Sequence, residues 1–421
     1  MKNHVEAKAK RILQIKKDRR QMQEKPDVMY VEGNAGVEYK GKVYFSSFNP
    51  TGCLFCFDIE KGTTTFIKQF SVEISRGMCH IDAFLCENEA WFIPWGARRL
   101  VCVNLDNFEE EYFEIAGHDY TNEHAFIDYL PFGDDKLILI PCGHRLDTMV
   151  IVDLKRHSTE EFFHVIPKGK CIGAYIWENK LHFLSVYGDV ISLFDLKKME
   201  IKHLCEEVEG DGWRYSSLIQ NGSIVYLIPR EADNVQVINL CTNARRQIML
   251  PFVEEPFCGG TLINGGVLLF ACCYGGGDSS GKKMTDSGMI RCLKIHGEDD
   301  PAEICNFPHG RSTRFQYYMR KIYSTQEQSY QFIIGSGGNL FQIDKNGCIV
   351  NTWDYSIEIA SSWLKPRFDR RITMQDIRKH NPKVIMENEK LGIRDFASVL
   401  IKESSVDNQA GNKNVMTLEE N

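Results

Sequence analysis

Short apolar runs rich in β-branched and aromatic residues recur along most of the chain, separated by turn residues. Examples are KVYFSSF, AWFIP, LHFLS and VYLIP. Packed helices would place apolar residues at a period of 3.6, and these runs do not show that period. Runs of this length and composition are typical of β-strands. The pattern therefore predicts an all-β chain of many short strands.

A repeated motif organises these strands. Apolar tripeptides with a polar centre occur seven times, 42 to 55 residues apart: Phe57-Asp58-Ile59, Val103-Asn104-Leu105, Val152-Asp153-Leu154, Phe194-Asp195-Leu196, Ile238-Asn239-Leu240, Leu293-Lys294-Ile295 and Phe341-Gln342-Ile343. Each closes one strand and leads into a turn, and each follows another apolar strand. Further strands lie upstream and downstream, as in HIDAFLC and TTTFIKQF. Four short antiparallel strands per unit of about 40–50 residues is the pattern of a propeller blade.

The repeated unit resembles the β-propeller superfamily, including the Kelch, NHL and quinoprotein-type repeat architectures, over roughly residues 30–356. The resemblance implies a β-propeller of four-stranded antiparallel blades. We expect seven blades near residues 33–70, 71–115, 116–165, 166–205, 206–250, 251–307 and 308–356, and the alternative is six blades with one irregular unit. Neither a Trp-Asp ending nor a Kelch double glycine recurs in every unit, so no specific family is identified.

The two ends of the chain differ from the repeats. Residues 1–27 are rich in Lys and Arg and predict a basic helix that Pro26 ends. Residues 28–356 form the predicted propeller. Residues 357–421 are a predicted C-terminal extension with a short amphipathic segment from Ile393 to Ile401 and a disordered last part.

Composition limits the cellular location and the binding partners that we expect for the protein. The 421 residues carry a net charge of −7, which provides no overall attraction to nucleic acid or to an anionic membrane. The N-terminus lacks the apolar segment of a secretory signal, and no apolar run is long enough to cross a bilayer. We therefore expect a cytoplasmic protein whose 15 cysteines are reduced.

Candidate binding residues come from two sets of segments that propeller geometry places on one face. The first set surrounds the start of the innermost strand of each blade, where alignment of the units brings together His80, Cys171, Arg214 and Phe257. The second set is the loops between the second and third strands. Together they supply the candidate ligand-binding residues Arg76, His80, Trp95, Arg98, Glu123, His124, His144, Arg145, Trp213, Arg214, Arg230 and Arg314.

Arginine forms bidentate contacts with carboxylate or phosphate, and aromatic side chains stack on sugars. These residues therefore predict a pocket for an anionic ligand, such as a phosphorylated or carboxylated sugar, with Arg76, His80, Arg98, His124 and Arg214 converging at the mouth of the channel. The alternative is that the cations pair with nearby acids, namely Asp82, Asp128 and Asp147.

Two functions from different classes follow. The first is a non-catalytic propeller that binds a small anionic ligand or a protein partner on its loop-rich face. The second is a propeller hydrolase or lyase that uses a His/Glu/Arg ring, with or without a divalent metal. No cofactor is expected, because Gly276 to Lys283 resembles a phosphate loop but has Lys283 where a hydroxyl is needed. No metal site is expected either, because Cys53 and Cys56 lie on opposite faces of a strand.

Overall fold

The computed structural model describes residues 28–49, 52–71, 79–97, 99–115, 125–143, 146–167, 171–205, 213–251, 257–271, 289–296, 303–308, 319–324, 330–335, 338–355 and 358–360. Every regular element in these ranges is a strand. No helix that could cross a membrane occurs among them. The predicted N-terminal helix, and the predicted C-terminal extension apart from residues 358–360, lie outside the described part of the chain.

Thirty strands are described, in chain order. The first is β1 (Val28–Tyr30). Three groups of four follow: β2 (Glu32–Tyr39), β3 (Lys42–Asn49), β4 (Cys53–Asp58) and β5 (Thr63–Gln69); β6 (His80–Cys86), β7 (Glu89–Pro94), β8 (Leu100–Asn104) and β9 (Glu110–Phe113); β10 (Phe126–Pro131), β11 (Lys136–Pro141), β12 (Met149–Asp153) and β13 (Ser158–Phe162).

Four more groups complete the repeats. They are β14 (Cys171–Trp177), β15 (Lys180–Ser185), β16 (Val190–Asp195) and β17 (Glu200–Leu204); β18 (Tyr215–Asn221), β19 (Ile224–Pro229), β20 (Asn234–Asn239) and β21 (Ala244–Met249); β22 (Phe257–Ile263), β23 (Gly266–Ala271), β24 (Met289–His296) and β25 (Glu303–Pro308); β26 (Met319–Ser324), β27 (Tyr330–Gly335), β28 (Asn339–Asp344) and β29 (Ile349–Asp354). The last strand is β30 (Glu358–Ala360).

The sheets confirm an all-β propeller of four-stranded antiparallel blades and correct the predicted number. Five groups form separate four-stranded sheets, namely β6–β9, β10–β13, β14–β17, β18–β21 and β22–β25. The prediction of seven separate blades is wrong, because eight of the other ten strands form one sheet in the order β29-β28-β27-β26-β2-β3-β4-β5, and β1 pairs with β30. The physical reason is a parallel pairing of the two innermost strands, β2 and β26, which joins Val37 to Tyr323 and Glu38 to Ser324.

The polar centre of the repeated tripeptide has a structural role in five of its seven copies. Its side-chain oxygen accepts a backbone N–H from the turn that follows: Asp58 from Lys61, Asn104 from Asp106, Asp153 from Arg156, Asp195 from Lys197, and Asn239 from Cys241. Short Asx side chains stabilise turns in this way. The repeat seen in the sequence is therefore the start of the hairpin between the third and fourth strands.

The core lies between neighbouring sheets, where each sheet packs aliphatic and aromatic side chains on the next. Between β2–β5 and β6–β9, for example, Val37, Leu54, Phe92 and Val101 are completely buried. Full burial of one such side chain contributes about 1.5–3 kcal/mol. The innermost strands contact one another in chain order, from β2 to β6 and onward to β26, and β26 returns to β2. Packing and pairing together therefore close the ring of strands.

Tyr355 joins the two ends of this ring. Its buried hydroxyl accepts the backbone N–H of Gly33 at 2.7 Å and donates to the carbonyl of Gly335 at 2.7 Å. A Cβ on Gly33 would lie 2.9 Å from that hydroxyl and 2.7 Å from atoms of Phe45 and Ile334, so the strand needs glycine there. A second link is the hydroxyl of Thr64, which donates to the carbonyl of Tyr355 at 2.6 Å.

Replacing Tyr355 with phenylalanine should weaken the closure. The N–H of Gly33 and the carbonyl of Gly335 would lose this partner inside the protein, which costs about 1–3 kcal/mol. We expect Y355F to lower the midpoint of urea unfolding well below that of Y330F, a control at a tyrosine that is 41% exposed. Equal midpoints for the two variants would show that the hydroxyl does not hold the ends together.

Candidate functional site

Backbone hydrogen bonds place the predicted segments on one face. In β6–β9, the carbonyl of Cys79, just before β6, accepts the N–H groups of Trp95 at 2.8 Å and Ala97 at 2.8 Å from the loop between β7 and β8. In β18–β21, the carbonyl of Arg214 accepts the N–H groups of Arg230 at 2.8 Å and Ala232 at 3.1 Å in the same way. This confirms that the innermost strands start on the face that carries the second-to-third loops.

Second-to-third loops in several groups also hold the start of the next unit. The N–H of Ala125 donates to the carbonyl of Trp95 at 2.9 Å, and the N–H of Tyr215 donates to the carbonyl of Val186 at 3.0 Å. The loop face is therefore tied to the backbone of two neighbouring blades. The side chains on this face are attached to a fixed backbone, which favours a preformed binding surface over one that rearranges on binding.

The alignment of the units needs one correction. His80 pairs with Pro94 and Tyr215 pairs with Pro229, in both cases just before a β-bulge. Tyr215 is therefore the residue equivalent to His80. Arg214 lies one residue earlier, at the position equivalent to Cys79. Cys171 and Phe257 also start a first strand before such a bulge, as predicted. All four strands have 7 residues and share the bulge, so the same count back from the hairpin turn leads to Tyr215 and not to Arg214.

Five of the twelve candidate residues are described. They are His80, Trp95, Trp213, Arg214 and Arg230. The other seven lie outside the described residues: Arg76, Arg98, Glu123, His124, His144, Arg145 and Arg314. Convergence of the full cationic set at the channel mouth stays a prediction.

His80 does not contribute positive charge to the face. It is 1% exposed, and its Nδ1 lies 2.7 Å from the hydroxyl of Ser46. The aromatic side chains of Phe70 and Phe92 pack against its imidazole at 5.0 and 5.5 Å. Burial lowers the pKa of His80 to about 3, so the imidazole is neutral at physiological pH. His80 is a core residue that packs the first blade against the second.

Trp213, Arg214 and Arg230 form a compact set that we call the aromatic–arginine patch. The guanidinium carbon of Arg230 lies 5.0 Å from the centroid of the Trp213 indole. That of Arg214 lies 5.8 Å from the centroid of the Tyr215 phenol. The backbone N–H of Trp213 donates to Oε2 of Glu231 at 2.9 Å, which fixes the tryptophan. Trp213 is half-buried, and both arginines are exposed.

The arginines of this patch differ from other described arginines in their ion pairing. Elsewhere, Arg99 pairs with Glu114, Arg245 lies 3.6 Å from Asp189, and Arg156 lies 3.9 Å from Asp153. Within the described ranges, neither Arg214 nor Arg230 has a carboxylate at ion-pair distance. Stacking holds a guanidinium in place while its N–H groups remain free for a carboxylate or phosphate.

The three acids that the alternative interpretation pairs with the cationic candidates have other hydrogen-bond partners. Asp147 accepts a hydrogen bond from Nδ1 of His164 at 2.7 Å. Asp82 and Asp128 lie on the innermost strands β6 and β10, and each accepts the backbone N–H of its own following residue at 2.8 Å. Burial raises the pKa of Asp82 to about 6 and that of Asp128 to about 7, and the positive charge of Arg320 opposes both shifts. Asp82 and Asp128 therefore belong to the innermost strands, and Asp147 lies in the loop between β11 and β12. None of the three acids is at ion-pair distance from a described candidate residue.

His157 forms a second titratable cluster, between the second and third blades, which the sequence did not indicate. Its Nδ1 lies 2.5 Å from Oε2 of Glu111, and its Nε2 lies 2.9 Å from Oε2 of Glu89. The imidazole also stands edge-on to the Trp91 indole at 5.3 Å. The hydrogen bond with Glu111 is the largest factor that raises the pKa of His157 above its usual value. Because its partners come from β7 and β9, the cluster links two blades.

In the described ranges, no three His, Cys, Asp or Glu side chains converge in the arrangement that a metal site requires. The chemistry that the described face offers is recognition by arginine and aromatic side chains.

Comparisons with known proteins find similarity in fold alone. No family model and no curated protein matches the chain. Among solved structures, the chain is similar to BamB from Moraxella catarrhalis at 10% identity, with 77% of this chain and 85% of that chain covered and a TM-score of 0.43. It is similar to a chain of the mitotic checkpoint complex at 8% identity, with 78% and 91% covered and a TM-score of 0.46. It is similar to KlHsv2 with loop 6CD replaced by a Gly-Ser linker at 8% identity, with 74% and 93% covered and a TM-score of 0.43.

The cluster around His157 should stabilise the protein in a pH-dependent way. Because its pKa is higher in the folded protein, the contribution is fully present below the unfolded-state pKa of about 6.5 and is lost as pH rises through the folded-state value. We expect H157Q to lower the free energy of unfolding by roughly 0.5–1 kcal/mol more at about pH 6 than at about pH 9, since the side chain is partly exposed. His203, on the exposed strand β17, offers the control H203Q. A loss for H157Q that does not change with pH would contradict a charged His157.

Proposed function

We propose that this propeller is a non-catalytic binding module and that its aromatic–arginine patch binds an acidic or phosphorylated segment of a partner protein. The observation that supports this most directly is the pair of exposed arginines, each stacked on an aromatic side chain and neither at ion-pair distance from a carboxylate within the described residues. Arg and Trp are among the residues that contribute most to protein–protein binding.

Exposure favours a protein segment over a small ligand. Sites for small molecules are concave and bury most of the ligand surface. Both Arg214 and Arg230 are exposed, and the patch lies on the face that carries the second-to-third loops. A phosphorylated or carboxylated sugar held there would keep much of its surface in water. An extended segment could contact both arginines and gain further contacts across the loops.

A hydrolase or lyase receives less support from the described residues. That interpretation needs a charged or proton-transferring His/Glu/Arg ring, and the one histidine of the set that is described, His80, is buried and neutral. General acid–base catalysis requires a group that can exchange its proton near the working pH. A binding role requires only the arginines and aromatic residues that the loop face presents.

Loss of either arginine should weaken binding without unfolding the protein, because both are exposed. We suggest fluorescence anisotropy with a labelled poly-glutamate peptide and a labelled phosphoserine peptide. R214A or R230A should weaken binding by about 1–3 kcal/mol, the range for a charge-assisted hydrogen bond, or about 5- to 150-fold. R230K tests the stacked guanidinium, since it keeps the charge but not the planar group.

R156A is the matched control, because Arg156 is an exposed arginine in a turn between third and fourth strands, on the opposite face. Equal weakening by R156A would reduce the effect to net charge and contradict a specific patch. Binding of sugar phosphates but of neither peptide would assign the face to a small ligand.

A further inference from the structure

Two cysteines of the sixth four-strand group face each other across neighbouring strands. Cys292 on β24 is the register partner of Cys305 on β25, and neither cysteine is in a disulfide. The two thiols are hydrogen-bonded to each other. Side chains directly opposite one another across antiparallel strands have Cβ atoms about 4.5–5.5 Å apart. The strand register therefore holds the Cβ atoms of the two cysteines within reach of a disulfide.

A lysine lies on the same face as this pair. Lys294 follows Cys292 by two residues on β24, so both side chains point to one side of the sheet. Its ammonium nitrogen lies 3.3 Å from the sulfur of Cys348, in the turn between β28 and β29. The hydrogen bond from Cys292 lowers the pKa of the Cys305 thiol, and the positive charge of Lys294 lowers it further, against burial and the charge of Glu303. Cys305 thus has the electropositive environment that favours a thiolate.

Access to solvent differs between the two thiols. Cys305 is partly exposed on β25, the outermost strand of its sheet, whereas Cys292 is completely buried on the strand inside it. A thiolate that solvent can reach, beside a protected second thiol, is the arrangement of cysteines that react with peroxides. The exposed sulfur can meet a small oxidant, and the buried one can react only with its neighbour.

We propose that Cys305 and Cys292 form a hydroperoxide-reactive dithiol, in which Cys305 is the sulfur that is oxidised and Cys292 resolves it to a disulfide. The Cys305 thiolate attacks one oxygen of the hydroperoxide, the O–O bond breaks, and the other oxygen leaves as an alcohol, or as water from hydrogen peroxide, after it takes up a proton. Cys305 is then a sulfenic acid. The Cys292 sulfur attacks it, the S–O bond breaks, and the hydroxide leaves as water with the proton of Cys292. Two thiols and one hydroperoxide therefore yield one disulfide, one alcohol and one water.

The strands need to move only slightly to form that bond. A disulfide requires Cβ atoms about 3.8 Å apart, somewhat closer than directly opposed residues usually are. Among the described strands, β25 pairs in its sheet with β24 alone, so a small approach of the two strands breaks no ladder on its other side. The oxidised pair would carry some strain, which makes the disulfide easily reducible.

The test is oxidation of the full reduced protein with hydrogen peroxide, followed by alkylation and tryptic mapping without reduction. Trypsin cuts after Arg291 and Lys294, so Cys292 and Cys305 fall in different peptides, 292–294 and 295–311. We expect these two peptides to become cross-linked first in the wild-type protein. C241S is the matched control, since Cys241 is an exposed cysteine in a turn, and it should give the same cross-link.

Two further variants separate the roles of the thiols. In C292S, Cys305 should stop at a sulfenic acid that dimedone labels. In C305S, the buried Cys292 should stay reduced. Two further changes are made in the C292S background, where dimedone labels Cys305. K294R, which keeps the charge and the cleavage site, should leave the rate of this labelling unchanged, whereas K294Q should slow it severalfold. Oxidation of Cys241 or Cys348 while Cys292 and Cys305 stay reduced would overturn the proposal, and so would a Cys292 that reacts equally fast in C305S.

Discussion

Closure of the ring is the constraint on which the rest of the structure depends. Packing between consecutive four-strand groups joins parts of the chain that are close in sequence, but β2 must find β26, and Gly33 must find Tyr355, 322 residues away. The entropy of closing such a long loop must be recovered by the contacts made there. The structure meets this with several interactions at once: a parallel strand pair, a buried hydroxyl with two backbone partners, and the pairing of β1 with β30. Without them, one face of the first and of the last group would lack a partner.

Closure of the ring also fixes the backbone of the loop face and leaves side chains on it exposed. Second-to-third loops are bonded to the start of their own innermost strand, as at Arg230, or to the start of the next unit, as at Val186, and the loops at Trp95 and Cys142 have both links, so their backbone is fixed by the ring. Arg214 is an example: its backbone carbonyl holds the loop that carries Arg230, while its side chain remains exposed. One residue thus supports the fold through its backbone and is available for binding through its side chain. That division allows such a face to vary in sequence while the sheets stay the same.

The sequence predicted the features that neighbouring residues determine and did not predict the contacts between distant parts of the chain. The predicted positions of the four-strand groups agree with the observed strands. Hairpins and Asx turns, such as the one at Asp58, depend on a few adjacent residues and can therefore be predicted from the sequence. The union of β2 with β26 was missed because nothing near Val37 indicates a partner almost 300 residues away. The position equivalent to His80 in the fifth group is Tyr215 and not Arg214, and the equal length of the two strands before their hairpin turns gives this register. His80 was taken for a binding residue because burial, which makes it neutral, depends on Phe70 and Phe92 from other strands. The remaining candidates lie outside the described residues, so the sequence alone still supports them.

The central claim is that the first and last four-strand groups share one sheet, and hydrogen exchange of the intact chain tests it most directly. The innermost strand of a sheet with a free edge leaves half of its amides unbonded, whereas β2 and β26 are each bonded on both sides where they pair. The account predicts that the amides of β2 and β26 around Val37 and Tyr323 exchange as slowly as those of interior strands such as β7 and β19. Exchange there as fast as in the exposed edge strand β17 would contradict it.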